Sequence, residues 1–299
     1  MRRKILRRNA RGDYLVEGVT PLPASGPRRT VFFVSDQTGV TAETMGHSLL
    51  TQFEASNFQA VTLPFISGVE KAEEARRRID ATGVADGIRP IIFSTMVNDA
   101  ERDIVKQANA LFLDFFDAFL GPLEAEFKMK SSHAAGRAHG MADLTAYNAR
   151  INATNFALAN DDGGKHREYE QADVILVGVS RSGKTPTCLY LAMQYGVFAA
   201  NYPLTEDDLE LNGLPAALKA HQKKLYALTI RPDRLQQIRH ERRPDSRYSS
   251  ASQVQYELRT AEQLFQRFGI PTIDTTDCSV EEISSRILHR TGIPRRVRP

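Results

Sequence analysis

The chain has 299 residues, 41% of them hydrophobic and 25% charged, an ordinary balance for a soluble globular protein with room for one large α/β domain or two smaller ones. Ten of its 39 basic residues sit in two acid-free ends, residues 1–11 and 290–299, so the remaining 29 face 36 acidic residues and the body carries about −7. That distribution argues against a nucleic-acid-binding face, which needs its positive charge on the folded surface. No apolar run reaches membrane length, and the N-terminus lacks the apolar region of a secretory signal. Cys188 and Cys278 stand alone. They read as reduced thiols of a cytoplasmic protein, with no His/Cys cluster at zinc spacing.

Residues 1–28 are basic and then rich in Pro and Gly, and read as a flexible extension. Val31-Phe32-Phe33-Val34 is a short run of β formers and reads as a buried strand ending in the polar turn Ser35-Asp36-Gln37-Thr38-Gly39. A helix through Leu49 and Phe53 follows, then a strand over 61–66, a charged helix over 71–81, a strand over 90–94 and a helix over 99–110. This alternation points to a parallel sheet with crossover helices. Residues 121–170 read as a connector holding one helix, with the domain boundary near 165. The pattern then restarts: a strand over 173–177, a helix over 186–195 stopped by Gly196, a strand over 225–230, a helix over 252–268, a short strand over 271–274 and a last helix over 280–288. The expected fold is α/β: an N-terminal α/β domain over 29–165 with a parallel sheet, then a P-loop kinase-like α/β domain over 166–299.

The chemistry concentrates in Gly178-Val179-Ser180-Arg181-Ser182-Gly183-Lys184-Thr185, which fits G-x-x-x-x-G-K-[ST] at every defined position. Glycines let the backbone curl so that successive N–H groups face phosphate oxygens, and the following helix adds its positive end. Lys184 supplies a compact cation for phosphate, and Thr185 a hydroxyl for Mg²⁺. A chance match is roughly a one-per-cent event at ordinary glycine frequency, and the flanking strand and helix are those the loop requires. No convincing apolar strand ending in Asp follows the loop. Leu113-Asp114 lies upstream and Ile273-Asp274 sits in a short strand, so the Mg²⁺ carboxylate is unassigned.

Residues 174–204, VILVGVSRSGKTPTCLYLAMQYGVFAANYPL, resemble the signature of the dikinase regulatory protein family of bacteria and plants. VFFVSDQTGVTAET, KSSHAAGRAHG, the run 150–157 with Asp161-Asp162-Gly163, and Val280-Glu281-Glu282-Ile283 agree with it, so the resemblance spans about residues 30–289. Within the family, the Ser-Gly-Lys-Thr-Pro-Thr form is most similar to the proteobacterial branch that regulates phosphoenolpyruvate synthase. Gln37 and Asp277-Cys278 depart from the family pattern. The resemblance implies a bifunctional enzyme. It would phosphorylate a threonine of phosphoenolpyruvate synthase (pyruvate, water dikinase) with ADP as donor, inactivating the target. It would also remove that group with inorganic phosphate, releasing pyrophosphate. Pyruvate, phosphate dikinase as target, or a small-molecule or nucleotide kinase, is the alternative, and a homodimer is left open.

Other residues carry two readings each. Asp36 is a cap or turn residue, or a base for the threonine hydroxyl or a Mg²⁺ ligand. His133 and His139 flank Gly136-Arg137 in a polar loop; the resemblance adds phosphate contact by His139 or Arg137 to the plain solvated reading. Asp161-Asp162 is a turn or a Mg²⁺ site. Lys223, Arg239, Arg242, Arg243 and Arg247 form a solvated face, or a basic face toward the nucleotide or the target protein.

Overall fold

Thr30 to Val34 are five consecutive buried residues, as a strand covered on both faces must be. They form most of β1 (Arg29–Val34) in a computed structural model that describes residues 7–8, 14–15, 28–53, 57–132, 144–164, 166–211 and 213–297. In the N-terminal extension Arg7–Arg8 pairs antiparallel with Tyr14–Leu15. The chain divides into two units, Met1–Gly140 and Met141–Pro299.

The first unit runs α1 (Val40–Leu50), β2 (Phe58–Leu63), α2 (Val69–Asp86), β3 (Ile91–Ser94), α3 (Asp99–Lys106), β4 (Leu111–Asp114) and α4 (Phe115–Phe127) after β1. Its four strands are parallel in the order β2-β1-β3-β4. One face buries Phe32, Val34 and Ile92 against Ala72, Ala75 and Ile79 of α2. The other buries Val31, Phe33 and Phe93 with Ala42, Leu50 and Phe115. Phe33 stacks on Phe93 at 5.9 Å between ring centroids, and Phe93 on Phe115 at 5.4 Å. Helix α1 lies on these rings through Gly46, where a Cβ would come within 2.5 Å of Phe33 Cε1 and 2.7 Å of Phe93 Cδ2.

The second unit runs α5 (Leu144–Ala159), β5 (Val174–Gly178), α6 (Lys184–Tyr195), β6 (Ala199–Pro203), α7 (Glu206–Glu210), α8 (Ala216–Lys219), β7 (Leu225–Thr229), α9 (Pro232–Arg242), α10 (Ala251–Arg267), β8 (Thr272–Asp274) and α11 (Val280–Thr291). Its sheet is also parallel, in the order β8-β7-β5-β6. Val174, Leu176 and Leu228 bury against α6 and α11 through Leu191, Ala192, Ile283 and Ile287. Ile175, Val177 and Ala227 bury against α10 through Val254, Leu258, Ala261 and Phe265. Both sheets therefore share one topology, with the first strand between the second and the third. In such sheets ligand crevices open at the carboxyl ends of the first and third strands, where the winding reverses. Among the described residues no helix is long and apolar enough to cross a membrane.

The observed elements differ from the sequence reading in places. Helix α5, grouped above with the first domain, belongs to the second unit, because Ala153 and Ala157 pack in the cluster with Leu191 and Ala192 of α6. The boundary therefore moves from near 165 to 140/141. Strand β2 ends at Leu63 rather than Ile66, since Pro64 follows and Phe65 takes a left-handed φ of 57°. The helix expected over 99–110 stops at Lys106, and Leu111–Asp114 is a strand. Asp114 then caps α4, accepting the Asp117 N–H at 2.9 Å. Strand β6 and helix α9 were not anticipated at all.

Replacing glycine by alanine inside a helix ordinarily helps by about 1 kcal/mol. At Gly46 the added methyl meets two stacked rings, so Gly46→Ala is expected to destabilise the protein by about 1–3 kcal/mol. Urea unfolding followed by circular dichroism checks this through a lower midpoint; a higher one would contradict the close approach of α1.

Candidate active site

The loop Gly178 to Thr185 joins β5 to α6 at the carboxyl end of the sheet, where the strand order reverses. Its geometry explains its residue types. A Cβ on Gly178 would lie 2.4 Å from the Leu228 carbonyl oxygen of β7 and 2.8 Å from Ser182 Oγ, so only glycine lets the loop leave the sheet there. Arg181 and Gly183 take positive φ of 73° and 91°, which curls the chain back into the start of α6. The first N–H groups of that 12-residue helix have no partner within the helix, and they make its N-terminus favourable for an anion.

Lys184 is buried, and its Nζ donates to the Val179 carbonyl at 2.9 Å. Burial pulls its pKa down from 10.5 to about 8, against the opposing pull of Asp162 and, after it, of Cys188 and Asp161. A cation that has lost its water and gained only a carbonyl is poorly compensated, and a phosphate oxygen would restore the balance.

Two carboxylates approach the loop from the 3₁₀ turn Asp161–Gly163, just after α5. Thr185 Oγ1 donates to Asp161 Oδ1 at 2.8 Å. The same oxygen accepts from Asn201 Nδ2, whose Oδ1 in turn accepts the Asp162 N–H at 3.0 Å. Asn201 is fully buried on β6, so the strand beside the loop fixes the acidic turn. Asp162 takes a left-handed φ of 48° there. Asp161 thus fills the place beside the loop threonine for which no downstream strand offered an Asp, while Asp274 ends β8 at the sheet's edge and accepts from Thr276. Asp161 and Thr185 make a hard-oxygen pair of the kind Mg²⁺ takes together with substrate phosphates and water.

The opposite wall comes from α9 and the turn after it. Arg239 is wholly buried. It donates to Glu257 Oε2 at 2.7 Å, to the Tyr248 carbonyl at 3.1 Å and to the Ser180 carbonyl of the loop at 3.1 Å. The Tyr248 ring covers its guanidinium at 4.3 Å, and the Tyr248 hydroxyl lies 2.9 Å from Ser180 Oγ. Gln253 extends the network, donating to Glu257 and Glu206. Between these walls lies a cavity of about 720 Å³, within the range of small-molecule sites, lined by Lys184, Thr185, Asp161, Asp162, Arg242 and Arg243 among others.

The sequence-derived candidates therefore separate. Gly178 through Thr185 and Asp161-Asp162 come together. Arg239 is no part of a solvated or ligand-facing surface; it is an internal brace. Arg242 and Arg243 line the cavity, whereas Arg247 is exposed and pairs with Glu206 at 3.2 Å, and Lys223 is exposed. Asp36 lies in the first unit, where its buried carboxylate accepts the Val97 N–H at 2.9 Å and ties the end of β1 to the segment after β3. His133, Arg137 and His139 lie outside the described residues. Asn201, Tyr248 and Glu257 escaped the sequence as site residues. A polar side chain inside the buried segment Phe198-Ala199-Ala200-Asn201 was the one available signal.

The model of the kinase/pyrophosphorylase family matches residues 31–288. Several proteins provisionally named phosphoenolpyruvate synthase regulatory protein are similar over nearly their whole length. That of Pseudomonas putida is 54% identical over 269 residues, 90% of this chain and 99% of the relative. That of Halorhodospira halophila is 54% identical over 270 residues, 90% and 98% of the two chains. That of Marinobacter nauticus is 52% identical over 268 residues, 90% and 99%.

A lysine lowered by burial to about 8 is expected to hold its proton more firmly when a phosphate anion binds, because the anion favours the charged form. Binding of a phosphate-bearing anion should therefore take up about half a proton at pH 8, and affinity should fall by up to about tenfold per pH unit above it. Calorimetry in buffers of different ionisation heat checks both. An affinity constant from pH 7 to 9.5 would contradict the assignment.

Proposed function

The chain belongs to the kinase/pyrophosphorylase family, and on that premise we propose that it is a bifunctional regulator of phosphoenolpyruvate synthase. In one direction the β-phosphoryl group of ADP passes to a threonine hydroxyl of the synthase, AMP leaves, and the target is inactivated. In the other, an oxygen of inorganic phosphate attacks the phosphothreonine phosphorus, the threonine oxygen departs, and pyrophosphate is released. The observation that carries this reading is the buried Lys184 in a glycine loop whose threonine already meets the Asp161 carboxylate. The relatives' names supply the target.

The geometry supports both reactions through one cradle. The two reactions share a diphosphate: ADP in the first, pyrophosphate as product of the second. Catalysis of phosphoryl transfer is mainly positioning and charge stabilisation. The loop amides and Lys184 supply fixed positive charge where the equatorial oxygens gather charge. Asp162, the opposing charge that acts most strongly on Lys184 and a residue of the cavity wall, takes the threonine proton in the forward direction and returns it in the reverse. A Mg²⁺ ion would be held by Asp161 and Thr185 and would neutralise phosphate charge when bound.

Incubating the protein with phosphoenolpyruvate synthase and ADP labelled in the β-phosphate is expected to place label on a synthase threonine. Subsequent addition of inorganic phosphate is expected to release it as pyrophosphate. Lys184→Ala should lower both rates by at least about a hundredfold. No label on the synthase, with label instead on a metabolite, would replace this reading with that of a small-molecule kinase. Full-rate phosphorolysis by Lys184→Ala would overturn the shared cradle.

A further inference from the structure

The proposed phosphorolysis brings together two separate phosphate groups, that of the phosphothreonine and inorganic phosphate, and the loop with Lys184 faces one of them. The cavity wall facing the loop carries the charge for the second. Arg242 ends α9 and Arg243 follows it, and both line the same cavity as Lys184, Thr185 and the acidic turn. With Arg181 and Lys184 the lining holds four cationic side chains against two carboxylates. One of those carboxylates, Asp161, is already engaged by Thr185 and Asn201.

This wall is built rather than loose. The Arg243 N–H donates to the Arg239 carbonyl at 2.9 Å. Its own carbonyl accepts from Ser246 Oγ at 3.0 Å and from buried Ser249 Oγ at 3.1 Å. The turn is closed by reciprocal bonds between Ser246 and Ser249, with Asp245 held at a left-handed φ of 51°. Tyr248 in the same turn is tied to the loop through Ser180 Oγ and through Arg239, which holds the carbonyls of Tyr248 and Ser180 together. The backbone that carries the two arginines is thereby fixed relative to the phosphate loop. Guanidinium forks match phosphate oxygens two at a time.

We propose that Arg242 and Arg243 form a second anion subsite, opposite the phosphate loop, that holds the second phosphoryl group of a diphosphate. That group is the one not transferred, the α-phosphate of ADP or the inorganic phosphate of phosphorolysis, while the transferred group sits at Lys184 and the loop amides. The proposal rests on the reading that the loop holds the first phosphate. Two dianions that must react with one another then meet between separate sets of cations, Lys184 and the loop amides on one side and the two arginines on the other. In phosphorolysis the new P–O–P bond forms between the two subsites, the P–O bond to threonine breaks on the far side of the transferred phosphorus, and the threonine oxygen takes its proton from Asp162. In the forward direction the P–O–P bond of ADP breaks, AMP leaves, and Asp162 accepts the threonine proton.

Calorimetric titration at fixed ionic strength with inorganic phosphate and with pyrophosphate, without any target protein, separates the subsites. Both arginines are exposed, so Arg242→Ala/Arg243→Ala is expected to keep the wild-type unfolding midpoint. Its affinity for pyrophosphate should fall by at least about tenfold, while that for phosphate changes by less than about twofold. Arg243→Lys, which keeps the charge and loses the fork, should recover only part of the loss. Pyrophosphate affinity that is unchanged in the double variant, or that falls only in step with phosphate affinity, would overturn the second subsite. Lys184→Ala tests the underlying reading apart from this one: it should lose phosphate and pyrophosphate alike, and retention of both would overturn the loop assignment whatever the arginines do.

Discussion

The second unit turns on the guanidinium of Arg239. Removing that cation from water is costly, and the cost is offset only because Glu257, two backbone carbonyls and an aromatic face surround it. Those partners belong to three separate stretches of chain: the phosphate loop, the turn before α10, and α10 itself. A hydrophobic residue in the same place could fill the volume but could not hold Ser180 and Tyr248 at hydrogen-bond distance from one group. Buried pairs of this kind contribute geometry more than net stability, and here the geometry is the width of the cavity between loop and wall.

The remaining polar network serves the same end from the other side. Asn201 contributes both ends of its amide, donating to Asp161 and accepting from Asp162, and so sets the acidic turn against Thr185. Lys184 is left with one carbonyl and a depressed pKa. The site is therefore electrostatically unfinished without an anion, which is how a preorganised phosphate cradle differs from a merely well-packed loop. Membership of the kinase/pyrophosphorylase family and the proposed transfer in two directions agree with this. On the proposed reading, one anion site serves transfer in either direction.

Much of this was legible in the sequence. Gly178, Gly183, Lys184 and Thr185 named the loop because each position has a steric or charge requirement that few residues meet. The parallel α/β fold followed from apolar β-rich runs alternating with helices. What stayed hidden had identifiable causes. Ala199-Ala200-Asn201-Tyr202-Pro203 has no β-branched residue and one aromatic, Tyr202, so its propensity signal is weak. Helix α9 turns Arg239 inward with Leu235, so its buried face reads as polar in a run of charges. Helix α5 carries alanines at its contact with α6, and small residues do not announce which domain they join. Asp161-Asp162 stands in the sequence as a turn or a Mg²⁺ site alike, because Asp-Asp-Gly suits both. The structure sets that turn beside Thr185 through Asn201, a contact between distant stretches of chain.

The central claim is that the Arg239 brace, itself outside the cavity, sets the phosphate loop for binding. Glu257→Gln keeps the shape of the brace's partner and removes its charge. Measured together by calorimetry and urea unfolding, this variant is expected to remain folded at a lower midpoint and to bind ADP at least about tenfold more weakly. A folded Glu257→Gln protein that binds ADP as tightly as the wild type would contradict the account.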